Sequence, residues 1–149
     1  MTKAIIVDID GTLVTVGDRS YFDASIAHKV DTPKQEIVDL VQLYFDAGYY
    51  VFFVTGRNSH AGQFESTEKQ LTNLFPNFED YFLDKRTSLH MRRKGDFRKD
   101  TIFKGEVYER HIKDKYEVAF ALEDRKQMVD FYRNELGITC LEVEENVRK

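Results

Sequence analysis

The sequence predicts an α/β fold: a three-layer α/β/α sandwich around a mostly parallel sheet of about five strands. Three observations predict it. Short, continuous apolar runs recur along the 149 residues, as expected of strands covered on both faces. Most runs are followed by a longer stretch whose apolar residues have helical spacing, the alternation that builds a parallel sheet. Polar and acidic residues gather just after several runs, and in such folds ligands sit beyond the carboxyl ends of the strands.

Taken in order, the first strand is expected at residues 4–7, Ala-Ile-Ile-Val. A helix is expected over 33–47, where Thr32 and Gln35 have capping-box spacing, Pro33 suits the first helical position and Gly48 suits the C-terminal cap. Ile37, Val41, Tyr44 and Phe45 form its apolar face. A second buried strand is expected at 49–54, a helix at 64–74, a short strand at 81–83 and a helix at 101–113. A strand at 118–122, a helix at 125–136 ending at Gly137, and a last strand at 138–143 complete the series.

The chain length fits one domain over 1–149, with 14–32 as a small flap after the first strand. Hydrophobic residues make up 42% and charged residues 32%, and no apolar run approaches the length of a bilayer span. The N-terminus has no signal-peptide layout. The single cysteine, Cys140, excludes an internal disulfide and suits a reducing cytoplasm; its apolar neighbours make it a buried small hydrophobe. The net charge of −4 does not by itself suggest a nucleic-acid partner, but residues 85–116 hold eleven Lys or Arg against five Asp or Glu.

The strongest local signal is Asp8-Ile9-Asp10-Gly11-Thr12-Leu13. Two carboxylates leaving one apolar strand repel each other unless a cation lies between them, and a hard divalent ion with oxygen ligands, magnesium above all, meets that need. One such carboxylate can attack a phosphoryl group covalently, while the second protonates the leaving alcohol and later deprotonates water. Thr55, Gly56 and Arg57 follow the second strand and offer a hydroxyl and a backbone N–H to phosphate oxygens. Lys104 has Asp100 four residues back on one helical face, which for an isolated lysine reads better as a surface ion pair. Glu123 and Asp124 end the fourth strand, as metal ligands or, for Asp124, as a helix N-cap.

In this order and at these strand ends, the four elements resemble the haloacid dehalogenase (HAD) superfamily of phosphatases, with its Rossmann-like fold. The resemblance implies Asp8 as nucleophile, Asp10 as general acid/base, and Thr55 and Lys104 as phosphate clamps. It implies magnesium held by the Asp8 carboxylate, the Asp10 main-chain carbonyl and an acid of the Glu123-Asp124 pair. More narrowly, the layout is similar to the 3′-phosphatase domain of phage polynucleotide kinases. Gly17-Asp18-Arg19-Ser20-Tyr21-Phe22-Asp23, Gly95-Asp96-Phe97-Arg98-Lys99-Asp100 and Glu123-Asp124-Arg125-Lys126-Gln127-Met128-Val129 carry that similarity. By position it implies Arg19 and Arg57 as substrate or phosphate contacts and Asp100 as the residue that orients Lys104. Two aspartates usually stand where this chain has Glu123-Asp124, so Asp124 is the expected direct ligand, with Glu123 reaching the metal through water.

No Gly-x-x-x-x-Gly-Lys-Ser/Thr loop occurs, so kinase activity is not expected of the chain itself; a separate kinase or ligase partner is. The resemblance places such an enzyme in a bacterial or phage-infected cytoplasm. The small flap leaves the site open, which suits a polymer end, and Arg92, Arg93, Lys94, Arg98 and Lys99 supply cations that can track a phosphate backbone. That run alone reads equally as a solvated charged loop, and it is the resemblance that implies a nucleic-acid 3′-phosphate end, DNA or RNA, as the expected substrate. Free mononucleotides are the alternative, and a non-catalytic phosphate-binding module is a third reading.

Overall fold

The apolar run near the start of the chain becomes the middle of the sheet. A computed structural model describes residues 1–144. It places β1 at Thr2–Val7, β2 at Val14–Thr15, α1 at Ala27–Val30, β3 at Thr32–Pro33, α2 at Gln35–Asp46, β4 at Tyr50–Asn58 and α3 at Gln63–Leu74. Then follow α4 (Phe78–Leu83), β5 (Thr87–Arg92), α5 (Asp100–Val107), β6 (Tyr116–Glu123), α6 (Lys126–Asp130) and β7 (Cys140–Glu142). α5 and α6 each run on into a π-helical turn, Tyr108–Ile112 and Phe131–Glu135.

The five long-range strands form one sheet in the order β5-β4-β1-β6-β7, every neighbouring pair parallel. The chain winds outward from β1 through β4 to β5, then crosses back to β6 and β7, so the order reverses beside β1. That reversal opens a crevice at the carboxyl ends of β1, β4 and β6. Alternation along β1 explains the three layers. Ile5 and Val7 join Phe45, Phe53, Leu71, Phe75 and Tyr81 on one face, and Ala4 and Ile6 join Phe52, Phe103, Met128 and Tyr132 on the other. Cys140 lies in the second cluster at 3% exposure, and burial pushes its thiol up to about 11, as a small core hydrophobe requires. No helix among the described residues is long and apolar enough to cross a membrane.

Three local expectations are corrected. Residues 81–83 are helical, within α4: Phe78 and Tyr81 face the core one turn apart, while Phe82 and Leu83 are 51% and 76% exposed. The strand they were expected to form is β5 instead, a half-buried edge strand, Thr-Ser-Leu-His-Met-Arg, with no apolar run to betray it. The capping box does not form. Pro33 pairs with Val14 and Thr32 with Thr15 in a two-stranded antiparallel ladder, and Lys34 caps α2 without a side-chain bond. The ladder closes the base of the 14–32 flap, and the Lys34 Nζ donates to the Gly11 carbonyl at 2.5 Å, tying the helix start to the loop after β1. β4 also runs past its apolar stretch to Asn58, with its register against β5 broken between Val54 and Asn58, so Thr55–Arg57 leave the regular ladder.

Phe45 is fully buried, stacked on Tyr81 at 4.3 Å between ring centroids and set edge-on to Phe75 at 5.5 Å. Phe45→Ala should cost about 3–5 kcal/mol in urea unfolding. A loss below about 1 kcal/mol would mean that this cluster is not the packed core.

Candidate active site

Asp8 leaves β1 at the reversal point, and its carboxylate meets a lysine that arrives from α5. Lys104 Nζ donates to Asp8 Oδ1 and to Glu123 Oε2, both at 2.9 Å, and lies 3.5 Å from Asp100 Oδ2. It is 2% exposed, which removes the surface-pair reading. Burial alone would lower the ammonium, but Asp8, Glu123 and Asp100 outweigh it and hold Lys104 well above its ordinary value. Glu123 Oε1 also accepts from the Asp124 and Arg125 N–H groups, so both of its oxygens are engaged. Asp124 does not cap α6, whose N-cap is Arg125; its Oδ1 instead takes a 3.0 Å contact from the Thr12 hydroxyl.

Asp10, two residues on, is served by a different set of cations. Arg57 donates from Nη2 to Asp10 Oδ1 at 2.7 Å and from Nε to both oxygens at 3.3 Å, and Arg19 Nη2 reaches Oδ1 at 2.9 Å. Both guanidiniums are fixed from behind by Asp31, a fully buried carboxylate that sequence reasoning missed. Asp31 accepts from Arg19 Nε (2.9 Å), Arg19 Nη2 (3.0 Å), Arg57 Nη2 (3.3 Å), Gln70 and the Gly17 N–H. Burial opposes its charge, yet these donors hold it below the usual carboxylate range. No local signal marks Asp31, because its partners come from distant segments.

Asp8, Asp10, Thr55, Gly56, Arg57 and Asp100 line one cavity of about 270 Å³, with Lys104, Glu123, Asp124 and Arg19 outside that lining. A Cβ on Gly56 would lie 2.6 Å from Asp100 Oδ1, so this glycine is what lets Asp100 come close. Arg92 is also part of the site. It donates to the Gly56 carbonyl at 2.9 Å and to Asp100 Oδ1 at 3.0 Å, and its guanidinium lies over Phe103. Sequence reasoning had placed Arg92 in a free basic run; the clamp makes it a support of the site instead.

The acids beneath the cavity fit a divalent cation. Asp8, Glu123 and Asp124 each offer an oxygen within 4.8 Å of the others. Three carboxylates against the single Lys104 ammonium leave two negative charges, since Asp100 is paired with Arg92. Thr12 lies 3.1 Å from Asp8 Oδ2 and 3.0 Å from Asp124 Oδ1, and its one hydroxyl proton can serve only one of them at a time. Burial, then Glu123, pushes Asp8 up to about 7, and burial, then Asp8, pushes Asp124 up to about 6. Gly11, at φ +79°, passes so near that a Cβ there would lie 2.1 Å from Asp124 Oδ2.

A parallel sheet with paired aspartates after its central strand, a buried lysine on the first of their carboxylates and acids at the neighbouring strand end define a phosphatase of the HAD superfamily. The sequence matches the family model of the polynucleotide kinase PNKP phosphatase domain over residues 2–147, and the chain belongs to that family. It is 25% identical over 133 residues to a protein of Autographa californica nuclear polyhedrosis virus that carries the name bifunctional polynucleotide kinase/RNA ligase, covering 89% of this chain and 18% of that one. It is similar to a chain in the structure of the Pnkp1/Rnl/Hen1 complex, at 34% identity and a TM-score of 0.81, covering 99% of this chain and 48% of that chain. A structure of the Pnkp1/Rnl/Hen1 RNA repair complex matches with the same identity and score over 44% of its chain. The chain thus spans about half the length of these solved chains and under a fifth of the viral relative.

The raised carboxylates set a pH dependence. Below about pH 4 both folded and unfolded chains hold these protons; above it the unfolded chain gives them up first, so the folded, cation-free site loses stability as the pH rises, the loss being complete once the pH has passed about 6 and 7. A divalent cation that replaces the protons binds better above that window. Magnesium should therefore raise Tm more at pH 7.5 than at pH 5.5, read by thermal melts. Equal shifts at the two pH values would rule out Asp8 and Asp124 as the cation's ligands.

Proposed function

We propose that the chain removes the terminal 3′-phosphate from nucleic-acid ends through a covalent intermediate on Asp8. The observation that carries this reading is the pairing of Asp8 with Lys104 Nζ at 2.9 Å, beside an Asp10 that two guanidiniums hold in place. Asp8 attacks phosphorus, the bond between phosphorus and the sugar oxygen breaks, and Asp10 gives that oxygen its proton. Water then attacks the acyl phosphate, its proton passes to Asp10, and inorganic phosphate leaves. Lys104, fixed by Glu123 and Asp100 and itself buried, neutralises charge developing on the phosphoryl oxygens. Thr55 and Gly56 supply further donors, Arg19 and Arg57 act by holding Asp10, and Asp100 orients Lys104.

Magnesium would be held by the Asp8 and Asp124 carboxylates and the Asp10 main-chain carbonyl. When bound it supplies a fixed positive charge for the phosphoryl oxygens. Glu123, whose oxygens already serve Lys104 and two backbone N–H groups, leaves Asp124 as the direct ligand.

The polynucleotide substrate is supported by the family and by the open cavity, whose lining includes Arg125, 54% exposed at its side chain. The chain carries no phosphate-binding loop of its own, and its relatives bear the names of kinase and ligase assemblies, so we place it beside a kinase or ligase activity. Phosphate release from a 3′-phosphorylated oligonucleotide, compared with free 3′- and 5′-mononucleotides, tests the whole reading. Asp8→Asn, which keeps the side chain's size, should reduce release by about 10³-fold or more while circular dichroism stays unchanged. Wild-type rates in that variant would overturn the nucleophile, and mononucleotides turned over as well as the oligomer would point to a nucleotidase.

A further inference from the structure

Phe22 and Phe97 are the most exposed large apolar side chains among the described residues, at 88% and 89%, and both line the cavity that holds Asp8 and Asp10. A single exposed phenylalanine is ordinary on a protein surface. Two that line one cavity beside Asp8 and Asp10 are not explained by the fold, since neither is buried against it. Tyr21 packs edge-on against Phe22, with centroids 5.7 Å apart, and lines the same cavity.

Phe97 has a second setting. With Asp96 and Arg98 it also lines a neighbouring groove of about 710 Å³, so it stands on the ridge between the two. That groove carries Arg93, Lys94, Arg98 and Arg110 against Asp96 and Glu106. Arg98 pairs with both acids, at 2.9 and 2.8 Å, and Arg110 also pairs with Glu106 at 3.7 Å, which leaves Arg93 and Lys94 over. Arg93 and Lys94 form no ion pair among the described residues and are exposed. The groove therefore presents uncompensated positive charge next to an aromatic face, the combination that takes single-stranded nucleic acid, with bases stacked on rings and phosphates tracked by cations.

We propose that Phe22 and Phe97 stack the bases at the 3′ end of a single strand, and that the strand leaves the cavity over Phe97 into the Arg93-Lys94-Arg110 groove. This rests on the polynucleotide reading above and adds a strand polarity and path to it. Stacking makes the terminal nucleoside, beyond its phosphate, part of what is recognised, while the sequence of the strand matters little because every base has a π face.

The test compares kcat/KM on two short single strands with a 3′-phosphate, one with ordinary 3′-terminal nucleosides and one with abasic sugars there. Wild type should prefer the base-bearing end. Phe97→Ala should lower kcat/KM on that end by roughly 5- to 100-fold and collapse the preference over the abasic end, and Phe97→Trp should restore it. Arg93→Ala with Lys94→Ala should flatten the fall of kcat/KM with rising salt. A preference that survives Phe97→Ala and Phe22→Ala overturns the stacking while leaving the 3′-phosphatase reading intact. So do equal losses on both ends, which make the rings part of the cavity's shape. A salt slope unchanged without Arg93 and Lys94 overturns the path. A wild-type protein that ignores both strands but hydrolyses free mononucleotides removes the reading on which the inference rests.

Discussion

One buried ammonium organises the edge of the sheet. An isolated charge taken out of water costs several kcal/mol, so Lys104 can stay charged at 2% exposure only because carboxylates surround it. The converse holds equally: Asp8 and Glu123 tolerate burial together because Lys104 lies 2.9 Å from each. The balance remains incomplete. Burial and Glu123 still leave Asp8 raised to about 7 with the lysine in place. The fold thus holds the site short of neutrality, the setting that a divalent cation would complete under the proposed function. Every other feature follows from where this pairing must occur, at the point where β1 ends and α5 packs across it.

The two aspartates of the Asp-x-Asp motif share a strand end but no cation. Asp8 belongs to Lys104, from the helix on one face of the sheet; Asp10 belongs to Arg57 from β4 and Arg19 from the flap. Ile9 between them is fully buried and points into the core, so the two carboxylates cannot exchange places without pulling the strand apart. Fixing each acid through its own network gives the two carboxylates different electrostatic settings in one small space. Asp31 secures that division, because a single buried carboxylate grips both arginines and ties the flap to β4 and α3.

Legibility in the sequence followed a physical rule. Residues at the ends of apolar strands could be read, because strand order fixes where they emerge: Asp8, Asp10, Thr55, Glu123 and Asp124 all lie where the pattern put them. Lys104 was readable only through resemblance, since spacing to Asp100 alone also describes a surface pair. Asp31, Thr12 and the Arg92 clamp were not readable, because each exists through contacts between segments far apart in the chain. The same limit explains α4. Tyr81, Phe82 and Leu83 look like a strand until Phe45 and Phe75 select Phe78 and Tyr81 as the buried pair.

Net charge along a sequence is also not the same as charge available to a ligand. The eleven cations between residues 85 and 116 include several that the fold consumes. Lys104 is spent on three carboxylates, Arg92 on Asp100, Asp96 and two backbone carbonyls, and Arg98 on Asp96 and Glu106. Arg86 is spent on the Phe45 carbonyl and the face of Tyr81. A surface ion pair is weak enough for a phosphate to displace, at about 0–1 kcal/mol, but a buried clamp is not. Under the polynucleotide reading proposed above, the attraction for a phosphate backbone would have to come from the side chains that are left, and Arg93 and Lys94 stand among them at the groove beside Phe97. The cations that hold the strand-end carboxylates in place and those left for a polyanion are thus different members of one basic run, and a change in one need not disturb the other.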